Sequence, residues 1–233
     1  MQITQAPSPN RNIGRNGWVP DIIVCHITDG AFAGAVSWIQ NPQSQVSYHY
    51  VVSQAGQIVQ AVDIENTAWA NGTDTTSGAR GNQHSTINLV RERRVNANLY
   101  TISIGFEGRH SQTGGKLTPA QQAAGVRLIA HIIREVRRIY GRDIRPANIF
   151  GHSHIVPRWK PNCPGEAFPY DEIIKALINM PTLTQRFDRG GETIHIPAFN
   201  VDGTLYPELR PALEFAGIKF RWDSANRVVV IEE

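Results

Sequence analysis

The sequence predicts an α/β domain with a central mixed β-sheet flanked by helices, followed by a small C-terminal α+β domain. Three observations support this: apolar strand-like runs alternate with helical patterns, two β-rich runs meet at a glycine-containing turn, and the pattern changes after residue 178. With 233 residues, 41% hydrophobic and 18% charged, the chain has an ordinary globular composition. Its length suits one full domain and a small additional one.

The first quarter of the chain predicts a strand, a helix and a hairpin. Residues 1–20 form an extended arm rich in Pro, Asn and Gly, which leads to an apolar strand at Ile22–Thr28. Apolar residues near helical spacing predict a short helix over residues 31–40. The β-rich runs Tyr48–Ser53 and Gln57–Val62 flank Gln-Ala-Gly and predict a hairpin.

The middle of the chain contains the clearest helix signal. Residues 63–98 are polar and irregular and predict a long functional or mobile loop, and Thr101–Glu107 then alternates as a half-buried strand does. A capping box with proline at the first helical position, Thr118–Gln121, begins a long helix that Gly141 ends. A last helix is predicted at Asp171–Ile178.

The C-terminal segment predicts a separate small unit. Residues 179–191 are predicted to be a linker. A strand at Thr193–Phe199, a helix at Pro207–Ala216 and a hairpin from Lys219–Trp222 and Arg227–Ile231 would follow.

Charge and terminal sequence limit the function classes. Twenty-three Lys and Arg against 20 Asp and Glu give a net charge of +3 and a pI near 9.0, which suits an anionic cell-wall polymer or nucleic acid without requiring either. Nucleic-acid binding is ranked low because aromatic and basic residues are not interleaved. The N-terminus has neither a basic start nor an apolar core, and no apolar run reaches 18 residues, so neither a secretory signal nor membrane insertion is predicted.

A Pro- and Gly-rich loop, residues 151–165, concentrates side chains that bind metals. It contains His152, His154 and Cys163, but a two-residue histidine spacing rarely lets both imidazoles reach one ion. His26, at the end of the first predicted strand, is the candidate for a further ligand, although a lone histidine there is more often structural.

The motifs resemble those of the zinc N-acetylmuramoyl-L-alanine amidases, the superfamily shared by phage lysins, bacterial autolysins and peptidoglycan recognition proteins. The resemblance covers about residues 20–178. It rests on these motifs, in this order: Ile-Val-Cys-His26-Ile-Thr, Tyr48-His49-Tyr50, Thr67-Ala-Trp69-Ala-Asn71-Gly, Ser103-Ile-Gly-Phe-Glu107-Gly and Gly-His152…Lys160…Cys163-Pro-Gly.

The resemblance implies hydrolysis of the amide between N-acetylmuramic acid and L-alanine in peptidoglycan. One Zn²⁺ would be held by His26, His152 and Cys163. Glu107 would act as general base, Lys160 would stabilise the transition state and Tyr48 would assist. From the residues alone, Glu107 could also be an ordinary strand-end carboxylate and Tyr48 a core aromatic residue.

Three residues are candidates for substrate binding. Trp69 lies in a polar loop, where it could stack on a sugar or peptide or could instead anchor the loop. Asn71 belongs to the same motif. His154 could contact substrate, support a ligand or simply be solvated, whereas His49 is predicted to pack or hydrogen-bond within the hairpin.

The expected organisation is a catalytic domain at 1–178, a linker at 179–191 and a small domain at 192–233. This last domain resembles the stalk-type domain of copper amine oxidases and bacterial envelope proteins, and would bind the wall or form a homodimer. The expected enzyme is a phage lysin or a mature secreted enzyme that acts on the cell wall. The alternative is a recognition module that binds muropeptide without cutting it, which the loss of a zinc ligand would mark.

Overall fold

The computed structural model describes residues 1–73 and 81–179 and, farther along the chain, the backbone of five strands. Contacts divide the chain into two compact units, Met1–Ile178 and Asn179–Glu233. The domain boundaries predicted from the sequence, with their functional assignments, stay predictions. None of the described helices is long and apolar enough to span a membrane.

The first unit is organised around a six-stranded mixed sheet. Its order is β1-β5-β4-β7-β3-β8, and β2 and β6 form a separate antiparallel pair. Within the large sheet β4 and β5 form the predicted antiparallel hairpin, and the other neighbours are parallel. The strands are β1 Thr4–Gln5, β2 Arg11–Asn12, β3 Ile22–Ile27, β4 Tyr50–Val52, β5 Ile58–Gln60, β6 Thr67–Ala68, β7 Thr101–Phe106 and β8 Ile149–Gly151.

Helices cover both faces of this sheet, which confirms the predicted α/β architecture. Short 3₁₀ turns at Pro42–Ser44, Ala97–Tyr100 and Pro146–Asn148 connect the elements. The helices are α1 Phe32–Gln40, α2 Asn88–Arg93, α3 His110–Thr113, α4 Pro119–Tyr140, α5 His152–Ile155 and α6 Tyr170–Ile178.

The long helix α4 begins and ends where the sequence predicts. The Thr118 hydroxyl accepts a hydrogen bond from the Gln121 N–H at 3.1 Å, and Gly141 ends the helix with a φ of +63°. Its buried face packs on the sheet closely enough that a Cβ on Gly125 would lie 2.8 Å from the Phe106 ring. This face of the sheet holds the larger hydrophobic core.

The alternation of side chains along β3 separates the two cores and determines which face of the sheet His26 lies on. Ile23 and Cys25 pack into the core under α4, whereas Ile22 and Val24 pack into a second cluster on the opposite face. Successive side chains in a strand point to opposite faces, so His26 lies on the face of Val24 and away from Cys25. Cys25 is fully buried and free, as its position in the apolar strand predicts.

Two segments predicted as irregular contain regular structure. β6 and α2 lie within residues 63–98, and Val90 and Ala97 in that stretch are buried in the second core. The helical turn α5 lies within the predicted loop 151–165. Burial of a few apolar residues orders these stretches, although neither has a long periodic pattern.

The second unit contains strands only among its described residues. Strands β9 Thr184–Arg189, β10 Glu192–Val201 and β11 Thr204–Pro207 form an antiparallel sheet, and β12 Phe220–Asp223 pairs with β13 Val228–Ile231 as the predicted hairpin. β9 lies inside the stretch 179–191 that the sequence predicts as a linker. Apart from Pro207, the last residue of β11, the predicted helix Pro207–Ala216 lies outside the described residues.

Candidate metal centre

The site forms where parallel strands end at one edge of the sheet. β3 pairs with β7 and with β8 in parallel, so the carboxyl ends of all three strands meet. His26 is the fifth residue of β3, and His152 directly follows β8. Open α/β sheets commonly place functional residues at this edge.

His26, His152 and Cys163 converge there. One ligand atom from each lies within 4.8 Å of the others, and the two imidazole ring centroids are 4.4 Å apart. Among the residues that the structure describes, this is the one group of three or more His, Cys, Asp or Glu side chains with such spacing. Two nitrogens and one sulfur at this separation are typical of a metal site, as the sequence predicts.

Each histidine keeps a ring nitrogen without a hydrogen-bond partner in the protein. His152 Nε2 lies 3.1 Å from the Asn71 backbone carbonyl, so Nε2 carries the proton that it donates and Nδ1 keeps its lone pair. His26 Nε2 is buried and has no hydrogen-bond partner. A buried polar atom without a partner is costly, and a bound metal ion would satisfy it. The residues present therefore fit a metal ion.

Burial keeps both imidazoles in the neutral form that binds metals. Burial lowers the pKa of His26 well below its usual value, and the neighbouring His152 and Lys160 lower it further. Burial lowers the pKa of His152 to about 4. Both side chains are therefore uncharged at neutral pH.

Cys163 is held against the end of β3. Its Sγ accepts a hydrogen bond from the Ile27 N–H at 3.4 Å, and its carbonyl accepts one from Ser153 N–H at 2.7 Å. Burial raises the pKa of the Cys163 thiol to about 11. The thiol is therefore protonated at neutral pH, and a metal ion binding there would replace that proton on the sulfur and release it to water.

An open cavity of about 580 Å³ lies beside the cluster and brings three of the predicted site residues to it. Tyr48, Trp69 and Lys160 line it together with His152 and Cys163. A second cavity, of about 280 Å³, shares Trp69, His152 and Lys160 with the first.

Tyr48 lies directly beside the cluster. Its ring centroid is 5.1 Å from that of His26. A Cβ at position 105 would come within 2.9 Å of the Tyr48 ring, so Gly105 gives the ring its space. Burial raises the pKa of the Tyr48 hydroxyl, which stays protonated and can donate a hydrogen bond.

Glu107 directly follows β7, and its carboxylate is held by the backbone. One oxygen accepts a hydrogen bond from Phe32 N–H at 2.9 Å, and the other accepts one from Gln54 N–H at 2.7 Å. Glu107 therefore joins the start of α1 to the turn of the hairpin. It is not among the residues that line the cavity.

Two of the three predicted substrate-binding residues have other contacts. Asn71 is only 3% exposed; its side-chain amide donates to Thr101 Oγ1 at 2.9 Å, and its carbonyl orients His152. His154 lies outside the cavity lining, and its Nδ1 accepts a hydrogen bond from the Gly151 N–H at 3.0 Å. Asn71 thus orients His152 and also lines the second cavity, and His154 supports the turn that carries His152; contact of either residue with substrate stays a prediction.

Trp69 and His49 lie closer to the sequence expectation. Trp69 lines both cavities while its indole N–H donates to the Asn12 side chain, so it is both a cavity wall and a loop anchor. His49 is buried and hydrogen-bonded, but the partners of its ring, Ser103 N, Asn66 O and Arg15, lie outside the predicted hairpin.

Sequence reasoning missed several residues of the cavity wall. Asp29 and His110 line it and are joined by a hydrogen bond from His110 N–H to the Asp29 carboxylate at 3.3 Å. Trp38 and Trp159 also line it, and both are exposed. Trp159 stands beside Lys160 in the Pro- and Gly-rich loop, and this position was a usable signal in the sequence; Trp38 lies within a predicted helix, where a tryptophan gives no such signal.

Comparisons with known proteins agree with this geometry. N-acetylmuramoyl-L-alanine amidase A of Achromobacter lyticus is 30% identical over 109 residues, which are 46% of this chain and 49% of that protein. The chain therefore spans about half of that relative's length. The fold of this chain is similar to that of the amidase LysC from Clostridium intestinale URNW, with a TM-score of 0.52 and 18% identity. The match covers 77% of this chain and 99% of LysC. A mutant of PlyL gives a TM-score of 0.54 at 16% identity and covers 77% and 100% of the two chains.

The match to a family profile is broader. The profile of the N-acetylmuramoyl-L-alanine amidases matches residues 16–166, which are more than half of the chain and include all three residues of the metal cluster. The chain belongs to the N-acetylmuramoyl-L-alanine amidase family.

Proposed function

We propose that this chain hydrolyses the amide bond between N-acetylmuramic acid and L-alanine in peptidoglycan, with one Zn²⁺ as cofactor. The observation that carries the proposal is the cluster of His26, His152 and Cys163 beside an open cavity, in a chain of the amidase family. Two nitrogens and one sulfur suit Zn²⁺, and three protein ligands are the usual set where zinc is catalytic.

The metal would supply the main activation. Zn²⁺ bound there would polarise the scissile carbonyl and make water a better nucleophile near neutral pH. The chain's own contribution begins with orientation, because the Asn71 carbonyl fixes the His152 ring and its proton.

Lys160 is proposed to stabilise the transition state. Its side chain is exposed and lines both cavities, and its charge lowers the pKa of His26 and His152, so its field reaches the cluster. An ammonium group at this place would attract the negative charge that develops on the carbonyl oxygen during attack.

Glu107 is proposed to transfer protons, and Tyr48 is proposed to position the substrate. Glu107 directly follows β7, the strand that pairs with β3, and two backbone N–H groups hold its carboxylate in place. It is the proposed base, which takes a proton and passes it to the leaving amine. Tyr48, whose hydroxyl stays protonated, would donate a hydrogen bond to the substrate.

Trp69 lines both cavities and is the proposed wall for the muropeptide. The proposed place of action is the bacterial cell wall, as for a phage lysin or a mature secreted enzyme. The second unit, whose sequence resembles a stalk-type domain, is proposed to bind the wall or to form a homodimer.

The test is digestion of purified peptidoglycan by zinc-loaded and chelator-stripped protein, with mass spectrometry of the soluble products. Free stem peptides with a new L-alanine amine should appear only with zinc. Cys163→Ala should lose both bound zinc and product, while Cys25→Ala, which removes the buried thiol on the opposite face of β3, should retain both. Wall that stays intact with bound, zinc-loaded protein would instead identify a recognition module.

A further inference from the structure

Three exposed apolar side chains face the same cavity. Among the described residues, Trp38 is 56% exposed, Val46 39% and Trp159 68%, and all three line the cavity of about 580 Å³. Single exposed apolar residues are normal on a protein surface. Three around one cavity form a patch of the kind that marks a binding site.

The three side chains come from separate parts of the fold. Trp38 lies in the last turn of α1, Val46 follows the 3₁₀ turn Pro42–Ser44, and Trp159 follows α5. The next residue in α1, Ile39, is buried and packs with Val51 and Ala61, so α1 is already anchored without Trp38. Packing of the described core therefore does not account for the position of either indole.

The rest of this cavity wall is mixed: apolar residues and the charged Asp29 and Lys160 lie beside neutral polar residues. Thr28, Ser111 and Asn162 contribute hydroxyl and amide groups, whereas the Ser47 hydroxyl is buried and hydrogen-bonded within the protein. Flat apolar rings beside neutral hydrogen-bonding groups suit a pyranose, which has C–H groups on its faces and hydroxyl or acetamido groups at its edges. A stem peptide, with its carboxylates and small side chains, offers these rings much less.

We propose that Trp38 and Trp159 bind the glycan chain of peptidoglycan by stacking on its sugar rings. This inference rests on the proposed function for its substrate, and it adds which walls of the cavity contact the sugar. Trp159 lines both cavities, whereas Trp38 lines only the larger one. The glycan therefore extends from the metal cluster towards α1, and the smaller cavity is left for the stem peptide.

The test uses peptide-free glycan strands of N-acetylglucosamine and N-acetylmuramic acid, which lack the amide bond to L-alanine that the enzyme is proposed to cleave. Their binding to the zinc-loaded full chain would be measured by calorimetry. Trp38→Ala should weaken binding about tenfold and Trp38→Tyr, which keeps a ring, by much less. Trp159→Ala should also weaken it. The control is Ile13→Ala, because Ile13 is 81% exposed but lies outside both cavities.

A second measurement gives the direction of the chain. For zinc-loaded protein, Trp38→Ala should raise KM for polymeric peptidoglycan but not for a single N-acetylmuramoyl peptide, while Trp159→Ala raises both. Melting temperatures of the variants confirm that they are folded.

Several results would overturn the proposal. These are wild-type protein that does not bind the glycan strands, Trp38→Ala that binds them as wild type does, or an equal loss of affinity for free stem peptide. Loss of a dimer in Trp38→Ala with unchanged glycan binding would make this surface an interface between two copies instead. Glycan binding that depends on Trp38 in a protein that releases no stem peptide would refute the hydrolase and leave this site standing.

Discussion

The two imidazoles of the candidate metal site are held in position in different ways. His152 donates its Nε2 proton to the Asn71 carbonyl, which fixes both its ring and its tautomer. His26 is fixed by its place in a buried strand and by the Tyr48 ring at 5.1 Å, and its Nε2 has no partner. One histidine is thus oriented by a hydrogen bond and the other by packing.

Lys160→Met should lower kcat by about 10²-fold, because it removes the positive charge proposed to stabilise the transition state. Zinc content, measured by atomic absorption, should not change. Arg158→Met is the matched control, since Arg158 is exposed on the same loop but lies outside both cavities, and it should retain wild-type kcat. Equal losses in the two variants would refute a specific role for Lys160.

Glu107→Gln should lower kcat by about 10²-fold or more, because the amide cannot take a proton from water. The variant also loses one of the two N–H bonds from Phe32 and Gln54, which should cost about 1 kcal/mol of the free energy of unfolding. Kinetics with a soluble muropeptide and urea denaturation measure the two effects separately. A folded variant with wild-type kcat would mean that Glu107 only holds the start of α1 in place. If Tyr48→Phe then lost activity, Tyr48 would be the residue that transfers the proton.

At the scale of elements, α4 depends on close contact with the sheet. Gly125→Ala should destabilise the protein by about 1–3 kcal/mol, because the new Cβ would meet the Phe106 ring at 2.8 Å. Gly34→Ala is the matched control within α1, where a Cβ meets nothing within 4 Å, and it should stabilise by about 0.5–1 kcal/mol. Thermal and urea denaturation measure both. If Gly125→Ala stabilises the protein as Gly34→Ala should, helix propensity rather than packing governs position 125.

At the scale of the whole molecule, a buried pair of basic residues ties the N-terminal arm to the sheet. Arg15 is 4% exposed, donates to the carbonyls of Ile64, Leu99 and Thr101, and its Nη2 lies 2.8 Å from His49 Nε2. Burial, followed by the charge of Arg15, lowers the pKa of His49 well below its usual value. Folding therefore requires a neutral His49.

This gives a pH dependence of stability with a definite sign. Below about pH 6.5 His49 binds a proton in the unfolded chain but stays neutral in the folded chain. The free energy of unfolding should therefore fall as the pH falls from 6.5. Urea denaturation of chelator-stripped protein at pH 7.5, 6.0 and 5.0 would show the decline. His49→Gln should reduce this slope, although other buried histidines keep part of it. An unchanged slope in the variant would show that His49 is protonated at no cost.

The sequence by itself determined the architecture and the chemical type of the site. The apolar strand Ile22–Ile27, the hairpin and the capped helix Pro119–Tyr140 are local patterns, and local propensity and periodicity suffice to predict them. The ordered motifs around His26, His152 and Cys163 then indicated an amidase-like metal cluster.

Only the tertiary structure decided which neighbours complete that cluster. Asn71 orients His152 through a backbone carbonyl, and a carbonyl has no signature in sequence. Trp38 and Trp159 meet at one cavity although they are 121 positions apart in the chain. Their positions depend on how α1 and the loop after α5 pack on the sheet, and such non-local packing cannot be read from local patterns.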